Sequence, residues 1–197
     1  MQTTILSVDQ SLTASGAVLL RECSPGRLEL VEQWTHRPKS TGIHRVVSHR
    51  NWMISLISRS EKPDYLAREM HHMRQFGAAA ALQHLTALID LLAYEDDYLD
   101  KGKYAMVAPG TWKKFISGNG SLKKDKSYVS TLVKSLHDHP MFVSDVGDVK
   151  DDNIIDAICI GVTAFASITG FGRVREMKSF VKLMEDSPKM RDYGKER

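Results

Sequence analysis

Residues 5–20 read ILSVDQSLTASGAVLL, two apolar runs separated by a short polar segment. This pattern predicts a β-hairpin whose strands are buried within a sheet. Asp9 ends the first run, and burying an unpaired carboxylate costs several kcal/mol or more. Two interpretations of Asp9 stay open from this stretch alone: it caps the polar turn at residues 10–15, or it faces a counter-charge or a metal ion.

The rest of the chain alternates between strand and helix patterns. Apolar periodicity predicts a strand at Arg27–Thr35 after a turn at Cys23–Gly26, a helix at His44–Ser60, a strand at Asp64–Met70, a helix at Gly77–Tyr94, a strand at Tyr104–Ala108, helices at Thr111–Ile116 and Lys124–His137, and an apolar helix at Asp152–Thr169. Three hairpin-linked strands followed by strand–helix alternation predict an α/β fold with a mixed sheet. Such sheets place sites at the carboxyl ends of parallel strands, where Asp9 and Glu69 lie.

The length of 197 residues indicates one domain, which we place at residues 1–171, followed by a basic C-terminal helix and tail at residues 172–197. Cys23 and Cys159 lack metal-site spacing and are typical of free thiols in a reducing compartment. No secretion signal is visible, and the apolar segment 154–171 carries Asp156, which favours a buried helix over a membrane span. We therefore expect a cytoplasmic protein, or one of the host cytoplasm if it is viral.

Positive charge is concentrated between Lys101 and Lys134, where eight lysines accompany the single acid Asp125. A local excess of this size favours a polyanionic partner such as a nucleic-acid backbone. The alternative is a solvated helix face.

Four acidic residues form the candidate chemistry. Asp152 and Asp156 are four residues apart at the start of an apolar helix, so their side chains share one face. Together with Asp9 and Glu69 they would supply four carboxylates, the hard oxygen ligands that Mg²⁺ or Mn²⁺ prefers. Two such ions about 4 Å apart form the usual clamp for phosphodiester hydrolysis.

Several motifs follow one another in a recognisable order: DQSLTASG at 9–16, Glu69 after the fourth strand, VAPGTWK at 107–113, GNGSLKK at 118–124 and DNIIDA at 152–157. This set resembles the RuvC type of Holliday-junction resolvase, within the ribonuclease-H-like nucleases. The resemblance implies a five-stranded mixed sheet flanked by helices, and a homodimeric, metal-dependent endonuclease that nicks paired strands of a four-way DNA junction.

By that resemblance Asp9 would bridge two metal ions, and Glu69, Asp152 and Asp156 would complete their coordination. Lys113 and Lys124 match two basic positions near the scissile phosphate, where they would offset charge in the transition state. The residues expected to contact DNA are Lys113, Lys114, Lys123, Lys124, Lys126 and His72. Trp112 is expected in the core or at its rim, with DNA contact as the alternative.

The sequence departs from the family pattern at three places, one of which is the segment between Glu69 and the Ala-rich helix, where the match is poor and gives no junction sequence preference. Bacterial members carry an acid or a histidine three residues before the final Asp, whereas this chain has Asn153 there and Asp152 one residue earlier, as some viral and mitochondrial relatives do. Which of Asp151, Asp152 and Asn153 faces the metal therefore stays open. The aromatic wedge three residues after the Glu is replaced by His72, which leaves Phe76 as a substitute for stacking.

Three other functions compete with junction resolution. A related nuclease could cut flaps and branched DNA more broadly, and a protein of the same fold could bind nucleic acid without metals or catalysis. An actin-like or sugar-kinase fold also places an Asp in its first hairpin, but it needs two such domains and about twice this length.

Overall fold

A computed structural model describes residues 2–59, 62–70 and 78–170. The predicted C-terminal helix and tail at 172–197, and both His72 and Phe76, lie outside these residues. The elements in chain order are β1 (Thr4–Asp9), β2 (Ser15–Ser24), β3 (Arg27–His36), α1 (Gly42–Ile57), β4 (Tyr65–Glu69), α2 (Ala78–Glu95), β5 (Tyr104–Val107), α3 (Pro109–Ser117), α4 (Tyr128–His137) and α5 (Asp152–Thr169).

The five strands form one mixed sheet in the order β3-β2-β1-β4-β5. The β1–β2 and β2–β3 pairs are antiparallel, whereas β4 runs parallel to both β1 and β5. The predicted α/β architecture with a five-stranded mixed sheet flanked by helices is therefore confirmed.

Alternation along β1 assigns its side chains to two separate cores. Ile5 packs in the cluster formed with α3, α4 and α5, whereas Leu6 and Val8 pack in the cluster formed with α1 and α2. Because strand side chains alternate between faces, Asp9 falls on the same face as Ile5. The period of the strand thus directs Asp9 towards α3, α4 and α5.

The same argument applies to β4. Ala67 belongs to the core under α3, α4 and α5, and Leu66 belongs to the opposite core. Glu69, two residues after Ala67, therefore shares the face of Asp9. Arg68 points the other way and pairs with Asp90 of α2, at 2.8 Å between Nε and Oδ1.

Helix α5 lies directly on β1 and β2 because two glycines allow a close approach. A Cβ on Gly16 would lie 2.3 Å from the carbonyl oxygen of Asn153, and a Cβ on Gly161 would lie 2.6 Å from Leu20 Cδ1 and 3.0 Å from Ser7 Cβ. By length and composition α5 could cross a membrane, but 72% of its 18 residues are buried inside the fold. It serves here as the central core helix.

Two element boundaries differ from the prediction in an informative way. Helix α4 begins at Tyr128 rather than Lys124, because Asp125 Oδ1 accepts hydrogen bonds from Ser127 N at 2.8 Å and Ser127 Oγ at 2.7 Å. This turn keeps residues 124–127 out of the helix, which therefore begins later than predicted. Strand β2 extends through Ser24, so the predicted four-residue turn contracts onto residues 25–26, where Gly26 has a φ of 76°.

Candidate active site

Asp9 and Glu69 lie at the carboxyl ends of the neighbouring parallel strands β1 and β4, whose register sets Val8 beside Arg68. Gln10 Nε2 donates to the Glu69 carbonyl oxygen at 2.6 Å, and Arg68 Nη1 donates to the same oxygen at 2.8 Å. The backbone that carries Glu69 is thus fixed by two side-chain hydrogen bonds.

The first turn of α5 brings Asp152 and Asp156 to the same edge of the sheet. Asp156 is 2% exposed, whereas the Asp152 side chain is 45% exposed. Asp151 caps the helix and points away, because it accepts hydrogen bonds from Thr35 Oγ1 at 2.9 Å and Arg37 Nη2 at 3.0 Å. Asn153 Nδ2 donates back to Asp151 at 2.8 Å. Of the three positions left open by the sequence, Asp152 is the one that shares a partner with Asp156.

That partner is Lys124. Its Nζ lies 2.7 Å from Asp156 Oδ2 and 3.1 Å from Asp152 Oδ2. Burial lowers the pKa of this ammonium, but the carboxylates of Asp156 and Asp9 raise it, and the pKa is raised on balance. Lys124 is therefore a fixed positive charge at the centre of the acidic group.

Two buried aromatic residues, whose contacts the sequence did not predict, hold the carboxylates in place. Trp112 Nε1 donates to Glu69 Oε1 at 3.0 Å, and the Tyr128 hydroxyl donates to Asp156 Oδ1 at 2.7 Å. Buried Trp and Tyr side chains usually require a partner for their polar atom. An aromatic residue on the face of a helix adjoining a candidate site is thus the signal that could have identified them.

The lysines expected at the site divide into two groups. Lys113 is held close, with Nζ donating to the Leu122 carbonyl oxygen at 3.1 Å and lying 5.4 Å from the Trp112 ring centre. Its charge lowers the pKa of Glu69. Lys114, Lys123 and Lys126 are exposed on α3 and on the connection to α4. The structure thus brings Lys113 and Lys124 to the carboxylates and leaves the other three at the surface, and His72 lies outside the described residues.

The electrostatics of the site are those of an acidic group with too little positive charge. Burial, and then repulsion from Glu69 and Asp156, raises the pKa of Asp9 well above its usual range. Burial likewise raises the pKa of Glu69 and of Asp156, against the lowering effects of Trp112 and Lys124 respectively. Asp9 is 7% exposed, and its carboxylate has no hydrogen bond or ion pair to any residue that the structure describes.

Carboxylate donors of this kind fit a divalent cation in their chemistry, since Mg²⁺ and Mn²⁺ are bound mainly by carboxylate oxygens. Within residues 2–59, 62–70 and 78–170, no group of three His, Cys, Asp or Glu side chains is placed to hold one ion. The side chains of Asp152 and Asp156 converge on the Lys124 ammonium instead. A bound cation would therefore have to displace that ammonium.

Comparison with known proteins gives similarity in structure only. No model of a known protein family matches the sequence, and no curated protein matches it significantly. Solved structures do match, and three of them are the following Holliday junction resolvases.

The RuvC of T. thermophilus in complex with a Holliday junction substrate matches with a TM-score of 0.65 and 17% identity, over 85% of this chain and 96% of that one. The yeast mitochondrial Holliday junction resolvase matches with a TM-score of 0.56 and 13% identity, over 90% of this chain and 84% of that one. The fowlpox virus resolvase, in complex with its substrate Holliday junction DNA, matches with a TM-score of 0.52 and 11% identity, over 84% of this chain and 99% of that one. The chain therefore has the fold of RuvC-type resolvases, as its motifs indicate.

Proposed function

We propose that this chain is a metal-dependent, structure-selective DNA endonuclease that resolves four-way junctions by paired phosphodiester hydrolysis, in DNA recombination and repair. The observation that carries the proposal is the convergence of Asp9, Glu69 and Asp156 on one face of a RuvC-like sheet. These residues come from three elements that lie far apart in the sequence. A structural role alone gives no reason to gather buried negative charge at a strand edge.

The cofactor would be Mg²⁺, with Mn²⁺ as a substitute and two ions in each site. Asp9, Glu69, Asp152 and Asp156 would hold them, and the ions would activate a water molecule and stabilise an in-line displacement at phosphorus. The raised pKa values of Asp9, Glu69 and Asp156 support this assignment, because burial and then repulsion between carboxylates raise them, and a divalent cation would offset both effects.

Lys124 and Lys113 would act on the phosphate. Lys124 would be able to pair with a phosphate oxygen if Asp152 and Asp156 held cations, since its present partners are those carboxylates. Lys113 is kept over the rings of Trp112 and Tyr128, at 5.4 and 5.5 Å from their centres. Both charges would offset the negative charge that develops in the transition state.

Branched DNA would be the substrate, because two of the structures that share this fold are complexes with Holliday junctions. We further propose that the protein is a homodimer, as paired nicking of two strands requires two sites. A cytoplasmic location suits Cys23 and Cys159, which are both free thiols.

A cleavage assay tests this proposal. The enzyme is incubated with a synthetic four-way junction, a flap and a linear duplex, each with Mg²⁺ or with EDTA. We expect symmetric nicking of the junction in Mg²⁺ alone. Equal cutting of flap and junction would favour the broader branched-DNA nuclease. Binding of the junction without cleavage under any metal would favour an inactive scaffold and overturn the proposal.

A further inference from the structure

A groove of about 720 Å³ lies beside α4 and is separate from the carboxylates. One wall is the exposed face of α4, and the other is the loop at residues 145–150. The floor is aliphatic, and it consists of Val129, Val133, Val146 and Val149. We call this feature the α4 groove.

The rim of the α4 groove is basic. Lys126, Lys134 and Lys150 line it together with His137, and Asp145 is the acid among the lining residues. All three lysines are exposed, and none is ion-paired with a residue that the structure describes. The Asp145 carboxylate is already engaged, because its Oδ1 accepts a hydrogen bond from Gly147 N at 2.9 Å. The net field of the groove therefore favours an anion.

The loop wall is built into the fold. Leu28 N donates to the Met141 carbonyl oxygen at 2.8 Å, and Val143 N donates to the Leu28 carbonyl oxygen at 3.0 Å, so the segment that precedes the loop pairs with the beginning of β3. Val146 is then buried in the main core. A preformed groove loses little conformational entropy when it is filled.

The groove also leads away from the candidate active site. At one end Lys126 follows Lys124 by two residues, and Lys150 precedes Asp152 by two. At the other end Lys134 lies about 9 Å along the axis of α4 from its first residue, Tyr128, at about 1.5 Å per helical residue. A strand whose phosphate is held at Lys124 would thus extend along a row of cations.

We propose that the α4 groove binds the phosphate backbone of a duplex arm of the DNA substrate, next to the strand that is cut. This inference rests on the proposed function. Backbone contact is favoured over base contact, because no Phe, Tyr or Trp side chain lines the groove among the described residues, whereas proteins that bind single-stranded DNA stack its bases on aromatic side chains. The closely spaced charges of a duplex match several unpaired lysines.

The test compares wild type with the double variant Lys134→Gln/Lys150→Gln, whose residues lie outside the catalytic group. Binding of a fluorescent four-way junction is measured in EDTA by anisotropy at several NaCl concentrations. The slope of log affinity against log salt is negative, and each lost phosphate contact reduces its magnitude by about 0.9. We therefore expect the magnitude of the slope to fall by about 1.8 in the double variant. We also expect affinity at low salt to fall by about tenfold or more.

Lys101→Gln/Lys103→Gln is the matched control, because it removes the same charge before β5, at the opposite edge of the sheet. It should leave the slope unchanged. An unchanged slope in Lys134→Gln/Lys150→Gln, or no junction binding by wild type, would overturn the groove assignment. Cleavage by the wild type separates the two proposals. If the wild type cleaves the junction and the double variant has an unaltered salt slope, only the groove assignment is wrong. If the double variant has a shallower slope but the wild type does not cleave, only the nuclease proposal is wrong.

Discussion

Asp9 is a buried carboxylate without a hydrogen bond or ion pair to any described residue, and repulsion from Glu69 adds to its cost. We expect Asp9→Asn to abolish cleavage and leave junction binding intact. In EDTA the same change should raise Tm by a few degrees, since about 1 kcal/mol shifts Tm by about 2–4 °C in a chain of this size. Junction cleavage and binding assays measure the first two effects, and calorimetry measures the Tm.

Asp64→Asn is the control for Asp9→Asn. Asp64 precedes β4 at the amino ends of the parallel strands, opposite the end that carries Asp9. There its Oδ2 accepts hydrogen bonds from Thr4 N at 2.9 Å and Thr4 Oγ1 at 3.0 Å. It should lose stability and retain cleavage. If Asp9→Asn instead melts the fold and abolishes binding, Asp9 has a structural role.

Lys124 pairs with Asp156 in the structure and, by our proposal, with phosphate during the reaction. Lys124→Ala should therefore lower the single-turnover rate by about 100-fold, a size typical of a lost transition-state contact, and weaken junction binding much less. Lys101→Ala, an exposed lysine before β5 that is not among the residues expected to contact DNA, is the control. An unaltered single-turnover rate would remove Lys124 from the chemistry.

Tyr128→Phe deletes only the hydroxyl that donates to Asp156 and keeps the ring beneath Lys113 and Lys124. Residues that orient metal ligands typically contribute 10–100-fold to metal affinity, and we expect a loss of about that size in a Mg²⁺ titration followed by Tm. Tyr98→Phe also loses a buried hydrogen bond, to the Pro63 carbonyl oxygen at 2.8 Å, but far from the site. Equal Mg²⁺ midpoints in the two variants would contradict this role.

At the scale of secondary structure, the contact between α5 and the sheet depends on Gly16. An alanine there would place its Cβ 2.4 Å from the Asn153 carbonyl carbon, which is backbone and cannot rotate away. We expect Gly16→Ala to cost about 1–3 kcal/mol and to reduce cleavage, because α5 carries Asp156 away from Asp9. Chemical denaturation and the junction assay measure these losses.

Gly110→Ala is the matched control for Gly16→Ala. Its Cβ would meet only the Gly120 carbonyl oxygen at 3.7 Å, within α3, where alanine is about 0.5–1 kcal/mol better than glycine. It should be neutral or slightly stabilising. A Gly16→Ala protein with wild-type stability and activity would show that α5 can shift without consequence.

The strands and helices were predictable because each follows a local period of apolar residues. The start of α4 was not, since the turn at Asp125 and Ser127 is made by side-chain hydrogen bonds that periodicity does not report. The roles of Trp112 and Tyr128 were also missed. Their partners are 43 and 28 residues away, and such contacts follow from packing rather than from local pattern.

At the scale of the whole molecule, the acidic site should couple stability to pH. The pKa values of Asp9, Glu69 and Asp156 are raised in the folded state. Their contribution to stability is therefore complete below the unfolded values, near pH 4, and is lost as pH rises through the folded values.

By our proposal Mg²⁺ binds the deprotonated carboxylates, so the increase in Tm that it causes should grow as pH rises through the folded pKa values. Calorimetry with Mg²⁺ and with EDTA at each pH measures this difference. In Asp9→Asn the increase should be small at every pH. A wild-type increase that is constant or falls with pH would contradict the assignment of these carboxylates to a metal site.

The order of the elements has a consequence for biosynthesis. The ribosome makes Asp9 first and Asp156 only 147 residues later, which takes about 7–30 s at about 5–20 residues per second. Until α5 has emerged and docked on β1, a nascent chain holds Asp9 and Glu69 without their third carboxylate. A growing polypeptide would therefore lack the complete acidic site until α5 has been made.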